Sequence, residues 1–171
     1  MAILPIRQYP DPVLKKKAKP VGEITPELHK LIDDMIDTMY AAPGVGLAAP
    51  QVGISLRLAV IDISPEEDRL PPIVMINPEF TMQEGEQDED EGCLSVKGYN
   101  ANVVRYDRVR VRALNRQGKP FEIEGEGFMA KALQHELDHL DGMLYIDRLS
   151  PLKRGLIKQK LKKELKKEDA S

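Results

Sequence analysis

Cysteine is scarce in this chain of 171 residues: only Cys93 is present. An internal disulfide is therefore excluded, and the lone thiol needs a reducing compartment or a metal. Long apolar runs are missing too. None approaches the roughly 20 residues that span a bilayer, so no membrane partner is expected. The opening stretch, "MAILPIRQYPDPVLKKK", has no basic segment leading into an apolar one and no Ser/Arg-rich amphipathic character. A cytoplasmic location is the expectation. Neither an internal repeat nor a low-complexity linker divides the chain. Residues 1–150 are expected to form one body, with residues 151–171 a basic C-terminal helix of the same domain. Charge separates the two: residues 151–171 carry eight Lys/Arg against three Asp/Glu, whereas the net charge of the whole is −3. The body is acidic and the tail basic.

Two helices stand out. In "GEITPELHKLIDDMIDTMYAAPG", Thr25 suits an N-cap, Pro26 the first helical position and Glu27 the positive dipole end. Leu28, Leu31, Ile32, Met35, Ile36 and Met39 recur at three- and four-residue steps, and Ala42-Pro43-Gly44 stops the helix. A second helix is predicted from about Gly127 to Asp141, with Gly142 as its stop. It is apolar on more than one side, which marks a buried helix. Strands are predicted in "LRLAVIDI" (56–63), "PIVMIN" (72–77), "NVVRYDRVRVRALN" (102–115) and "PFEIEGE" (120–126), with "NRQGK" as a hairpin turn. This order predicts an α+β fold, with antiparallel sheets packed around a central helix.

Histidine is also sparse, and two of the three fall in "ALQHELDHLDG" (132–142). His135 and His139 are four apart, so on a helix their Cβ atoms lie about 5–6 Å apart and both rings can converge on one ion. Glu136 is rotated about 100° from His135, a poor position for a ligand but a good one for a general base. A third protein ligand is needed to leave one position for water. Residues alone leave its source open. Tyr145 stands where one zinc-peptidase pattern has histidine, Glu164 and Glu168 lie in a lysine-rich segment, and Cys93 offers a soft thiolate.

Taken together, "GVGLAAPQ" (44–51), "EGCLS" (91–95) and "QHELDHLDG" (134–142) resemble the peptide deformylases, which remove the formyl group from nascent N-formylmethionyl chains. "YPDPVL" and "LSPLKR" extend the resemblance over nearly the whole chain. It implies that Cys93, His135 and His139 bind one divalent metal. Ferrous iron is favoured, with zinc, nickel or cobalt as substitutes. It further implies that a metal-held water attacks the formyl carbon with Glu136 as base. Gln51 and the backbone N–H of Leu94 would stabilise the oxyanion, and the backbone of Gly46 would help hold the peptide. An apolar pocket from Val45, Phe128, Ala132 and the His135 ring suits a methionine side chain. Residues 1–150 then become the catalytic unit. Lys97 and Asn100 depart from the family's proline and arginine, and Lys131 and Glu89 stand where apolar pocket residues are expected. These changes bear on substrate affinity and peptide preference, not on the ligands or Glu136.

In the tail, Leu156, Ile157, Leu161 and Leu165 share one helical face among lysines. A packed, solvated helix is one expectation, and docking on ribosomal RNA, as the resemblance implies, is the other. Two further functional readings compete with deformylation: a zinc endopeptidase, and a non-catalytic RNA-binding module with a structural metal.

Overall fold

The computed structural model describes residues 2–170, with the side chains of Glu66 and of residues 166–170 left aside. The three helices are α1 (Pro26–Ala41), α2 (Phe128–Leu140) and α3 (Pro151–Ala170). Seven strands accompany them: β1 (Gly46–Ala48), β2 (Leu58–Ile61), β3 (Ile73–Glu84), β4 (Gln87–Cys93), β5 (Val96–Arg105), β6 (Arg108–Leu114) and β7 (Pro120–Glu126). Five form an antiparallel sheet in the order β1-β2-β3-β6-β7, and β4 and β5 pair as a separate ribbon.

Capping fixes where α1 begins. The Thr25 hydroxyl accepts from the Leu28 N–H at 3.2 Å, and Pro26 follows at the first helical position. That satisfies one of the amides a helix start leaves bare. The two helices then cover opposite faces of the sheet. Along β2 every residue is buried, and successive side chains point to opposite faces. Leu58 and Val60 pack with Ile32, Met35 and Met39 of α1. Ala59 and Ile61 pack with Leu133, Leu137 and Leu140 of α2. Burying each such leucine contributes about 1.5–3 kcal/mol. A third cluster joins Val96 and Val103 of β5 to Tyr145, Ile146, Leu149 and Leu161.

Gly142 ends α2 with φ +76°. A Cβ there would also lie 2.5 Å from the Lys15 carbonyl oxygen, so both conformation and space demand glycine.

Three expectations need correction. The stretch 102–115 is two strands in two different sheets, broken at Tyr106-Asp107. The acidic run at 87–93 is a strand, where no apolar alternation marked one. Leu156 of α3 is exposed, while Leu161 of the same helix is buried.

Candidate active site

Two local structures bring the sulfur and the imidazoles together. Strand β4 ends at Cys93 after a register shift at Gly92, and a tight turn through Leu94 and Ser95 leads into β5. Opposite this turn, α2 projects His135 and His139 from the same face, one turn apart. Cys93 Sγ lies 3.4 Å from His139 Nε2, which lies 3.2 Å from His135 Nε2. The three atoms, each able to ligate a metal, fall within 4.8 Å of one another. Tyr145 is not among them. Its hydroxyl donates to the Tyr99 carbonyl at 2.8 Å. Glu164 accepts from the Tyr99 hydroxyl at 2.8 Å, and the Glu168 side chain lies outside the described residues.

The face of each ring away from the sulfur differs. His135 Nδ1 meets Glu91 Oε1 at 2.5 Å, which fixes the tautomer and frees Nε2 as a donor of electrons. His139 Nδ1 is buried with no partner among the described residues. Glu91 is itself gripped by Arg105 through two bonds, of 2.6 and 3.1 Å. Arg105 also reaches Asp138 at 2.5 Å, and Asp138 is held by Arg148 at 2.6 and 2.7 Å. Burial works to raise the Glu91 pKa, but hydrogen bonds from His135 and Arg105 prevail and hold it at about 2. The site therefore rests on a chain of alternating charges that runs from Arg148 at the surface through buried Asp138, Arg105 and Glu91 to His135. Neither Arg105 nor Asp138 was singled out in the sequence, and Glu91 appeared only as the first letter of a motif. Arginine amid acidic residues carries no periodicity. The legible signal is that a charged residue on an inward strand position must find a partner.

Glu136 sits beside this cluster, fully enclosed, with Oε1 lacking a hydrogen-bond partner among the described residues. Burial is the main cause that pushes its pKa up to about 7, so it can exchange a proton near neutrality. Strand β1 passes directly against it. A Cβ on Gly46 would lie 2.8 Å from the Glu136 carboxyl carbon, so only glycine lets the β1 backbone approach.

Gln51 lies in a short 3-10 turn after β1 (Ala49–Val52). Its Oε1 accepts from the Ala48 N–H at 3.0 Å, while Nε2 donates to Ser95 Oγ at 3.1 Å and faces Cys93 Sγ at 3.6 Å. The amide is thus oriented with its donor toward the sulfur. The Leu94 carbonyl accepts from Gln8 Nε2 at 2.7 Å. Its own N–H donates to no group among the described residues.

A cavity of about 510 Å³ opens onto this group. Cys93, His135 and Glu136 form part of its wall, as do Gly46, Gln51 and Leu94. Val45, Phe128 and Ala132 line it too. His139 lies behind the wall, 1% exposed. All ten residues named from the sequence are brought together here. Phe128 and Val45 are 51% and 42% exposed, so they stand at the mouth and not in the interior that a buried helix implied for Phe128.

Comparison with known proteins agrees with this geometry. Residues 3–155 match the family model described as polypeptide deformylase. A peptide deformylase of Thermodesulfovibrio yellowstonii is 57% identical over 162 residues, covering 95% of this chain and 98% of that protein. One of Acidobacterium capsulatum is 53% identical over 163 residues, covering 95% and 96%. The crystal structure of a peptide deformylase from Legionella pneumophila superposes with a TM-score of 0.91 at 52% identity, covering 99% of each chain. That of Ehrlichia chaffeensis peptide deformylase in complex with actinonin gives 0.90 at 38% identity, covering 96% and 98%. With a matching family model, relatives above half identity and a shared fold along nearly its full length, the chain belongs to the peptide deformylase family of enzymes.

Proposed function

We propose that this chain removes the N-formyl group from the N-terminal formylmethionine of newly synthesised proteins, as a metal-dependent hydrolase. One observation carries the reading: a thiol and two imidazole nitrogens converge within 4.8 Å beside a buried carboxyl group. The donor set fits a divalent ion. One soft sulfur and two imidazoles suit ferrous iron, zinc, cobalt or nickel. The Glu91 bond at Nδ1 leaves His135 Nε2 to ligate. We assign the ligands as Cys93, His135 and His139, and ferrous iron as the working metal. A divalent ion held there supplies Lewis acidity that makes water a nucleophile near neutral pH.

The chain's own residues do the rest. Glu136 takes the proton of the attacking water and returns it to the departing amine nitrogen. Negative charge then gathers on the formyl oxygen, and we assign the Gln51 Nε2–H and Leu94 N–H as its donors. Both stand next to Cys93 in the fold, and the Leu94 N–H is uncommitted. The Gly46 backbone pairs with the substrate chain. Val45, Phe128, Ala132 and the His135 ring take the methionine side chain. An extra methylene is worth only about 1–3 kcal/mol in such a pocket, so methionine is preferred and not exclusive.

We read residues 1–150 as the catalytic unit, built around α2 as its metal-bearing helix, and residues 151–171 as a basic helix of the same domain. Burial of Leu161 and the Tyr99–Glu164 hydrogen bond support that attachment. The lysines of α3 make the ribosome the second partner we propose, alongside the nascent peptide. Among the described residues no helix is long and apolar enough to cross a membrane, and the cytoplasm is the location we propose. Formate release from a formyl-Met-Ala-Ser peptide, with metal analysis of anaerobically purified protein, tests the reading. Release with about one ion per chain supports it; cleavage of internal peptide bonds in place of formate release overturns it.

A further inference from the structure

Two ammonium groups stand on facing walls of the cavity. Lys97 is the second residue of β5, just beyond the Cys93 turn, and Lys131 lies one turn before His135 on α2. Positions 128, 131, 132 and 135 share one helix face, so Lys131 belongs to the face that builds the cavity. Its Nζ donates to the Asp90 carbonyl at 2.9 Å and lies 4.9 Å from the centre of the Phe128 ring. That tether uses one of three N–H donors and holds the charge at the wall. Lys97 is exposed and unrestrained. Among the described residues neither lysine forms an ion pair with a carboxylate.

The acidic residues of the same lining are engaged elsewhere. Glu91 is bound to Arg105 and His135, and Asp90 Oδ2 accepts from Asn100 Nδ2 at 3.2 Å. Glu136 lies at the enclosed end beside β1. Asn100 is neutral, so Asp90 keeps its charge, and the lining sets two ammonium groups against that one carboxylate on an otherwise acidic body. Two cations lining one cleft, Lys131 tethered and Lys97 free to swing, attract an anionic group entering it.

We propose that Lys97 and Lys131 are specificity-determining residues that favour formylmethionyl peptides with an acidic side chain directly after methionine. The inference rests on the deformylase reading above. Both lysines line the cavity that takes the peptide, on either side of the reacting group in sequence: Lys97 just after Cys93 and Lys131 just before His135. The chemistry they recognise is a side-chain carboxylate, not a particular protein.

The test compares kcat/KM of the iron-loaded enzyme on formyl-Met-Glu-Ser, formyl-Met-Ala-Ser and formyl-Met-Lys-Ser. At low ionic strength the Glu peptide is expected to exceed the Ala peptide by roughly fivefold, the scale of one or two partly exposed ion pairs, and the Lys peptide to fall below it. The ratio should shrink toward one in 1 M salt, where screening acts beyond about 3 Å. It should also fall in Lys97→Gln and Lys131→Gln, each measured as a ratio within one variant so that loss of folded protein cancels. Equal rates on all three peptides, or a preference that survives both substitutions and salt, overturn the proposal while deformylation stands. No formate from any peptide overturns the deformylase reading and this one with it.

Discussion

At the scale of single residues, two positions show how little room the site leaves. Gly46 has no side chain because the Glu136 carboxyl occupies the space a Cβ would need. Gly46→Ala is expected to displace that carboxyl and lower kcat by at least about tenfold, since misplacing a catalytic group by about 1 Å can cost 10²-fold. Metal content should stay near one ion per chain. Steady-state kinetics with metal analysis checks both. Cys93 tests a different property. Among first-row ions, cobalt bound to a thiolate gives an intense charge-transfer band in the near ultraviolet. The cobalt-loaded parent should show that band and Cys93→Ser should lack it. A band retained in the variant would remove the sulfur from the ligand set. Spacing in the sequence made the histidine pair legible, because four residues is one helical turn. Cys93 was not legible in that way. It comes from 42 residues upstream on another element, so its soft thiolate made it one candidate among several until the resemblance chose it.

At the scale of elements, the sequence pattern worked where one face meets the core and failed where it does not. The start of α1 follows its Thr25 cap, the span of α2 follows periodicity, and β2, buried on both faces, reads as an unbroken apolar run. Strand β4 escaped because three acidic side chains of "QDEDEGC", those of Asp88, Glu89 and Asp90, face solvent. Its place is fixed by pairing with β5 and by Glu91 turning inward to Arg105. The 102–115 stretch misled for the opposite reason: its alternation continues across Tyr106-Asp107, where the chain passes from the ribbon to the sheet. The charge chain that binds these elements makes its own predictions. Arg105→Met leaves Glu91 and Asp138 buried with less compensation, and breaking such a pair costs about 3–5 kcal/mol. A fall in thermal midpoint with weakened metal retention is the expected result. The acid limb follows from Glu91. Its folded pKa of about 2 lies below the 4.5 of a free glutamate. Its contribution is complete above pH 4.5 and is lost as pH falls through 2, with an upper limit of about 3 kcal/mol. Urea unfolding across that range should show stability declining with acid. In Glu91→Gln that part of the slope should be absent.

At the scale of the whole molecule, an acidic body carries a lysine-rich helix at one end and a cavity with two cations at its mouth. Composition made the tail's charge visible, but not how it is attached. Leu161 packs into the body while Leu152 and Leu156 face outward, so only one side of α3 is committed. Its remaining surface is free to meet phosphate. The ribosome docking proposed for α3 predicts that co-sedimentation falls steeply between about 50 and 200 mM salt, the range over which phosphate contacts are lost. Neutralising Lys158, Lys160, Lys162 and Lys163 should reduce it further without altering formate release. The fold as a whole was legible as α+β from the order of its elements. Its division into a five-stranded sheet and a separate ribbon was not, because pairing between distant strands leaves no local mark.

Loaded with one ferrous ion per chain, the parent and Glu136→Gln can be compared for formate released from formyl-Met-Ala-Ser. The variant keeps the enclosed shape and the three proposed metal donors but removes the group proposed to carry the proton. The expected result is equal metal content with a loss of about 10²–10⁴ in rate, the usual contribution of a general acid–base. A variant that holds the ion and works at the parent's rate would contradict the account.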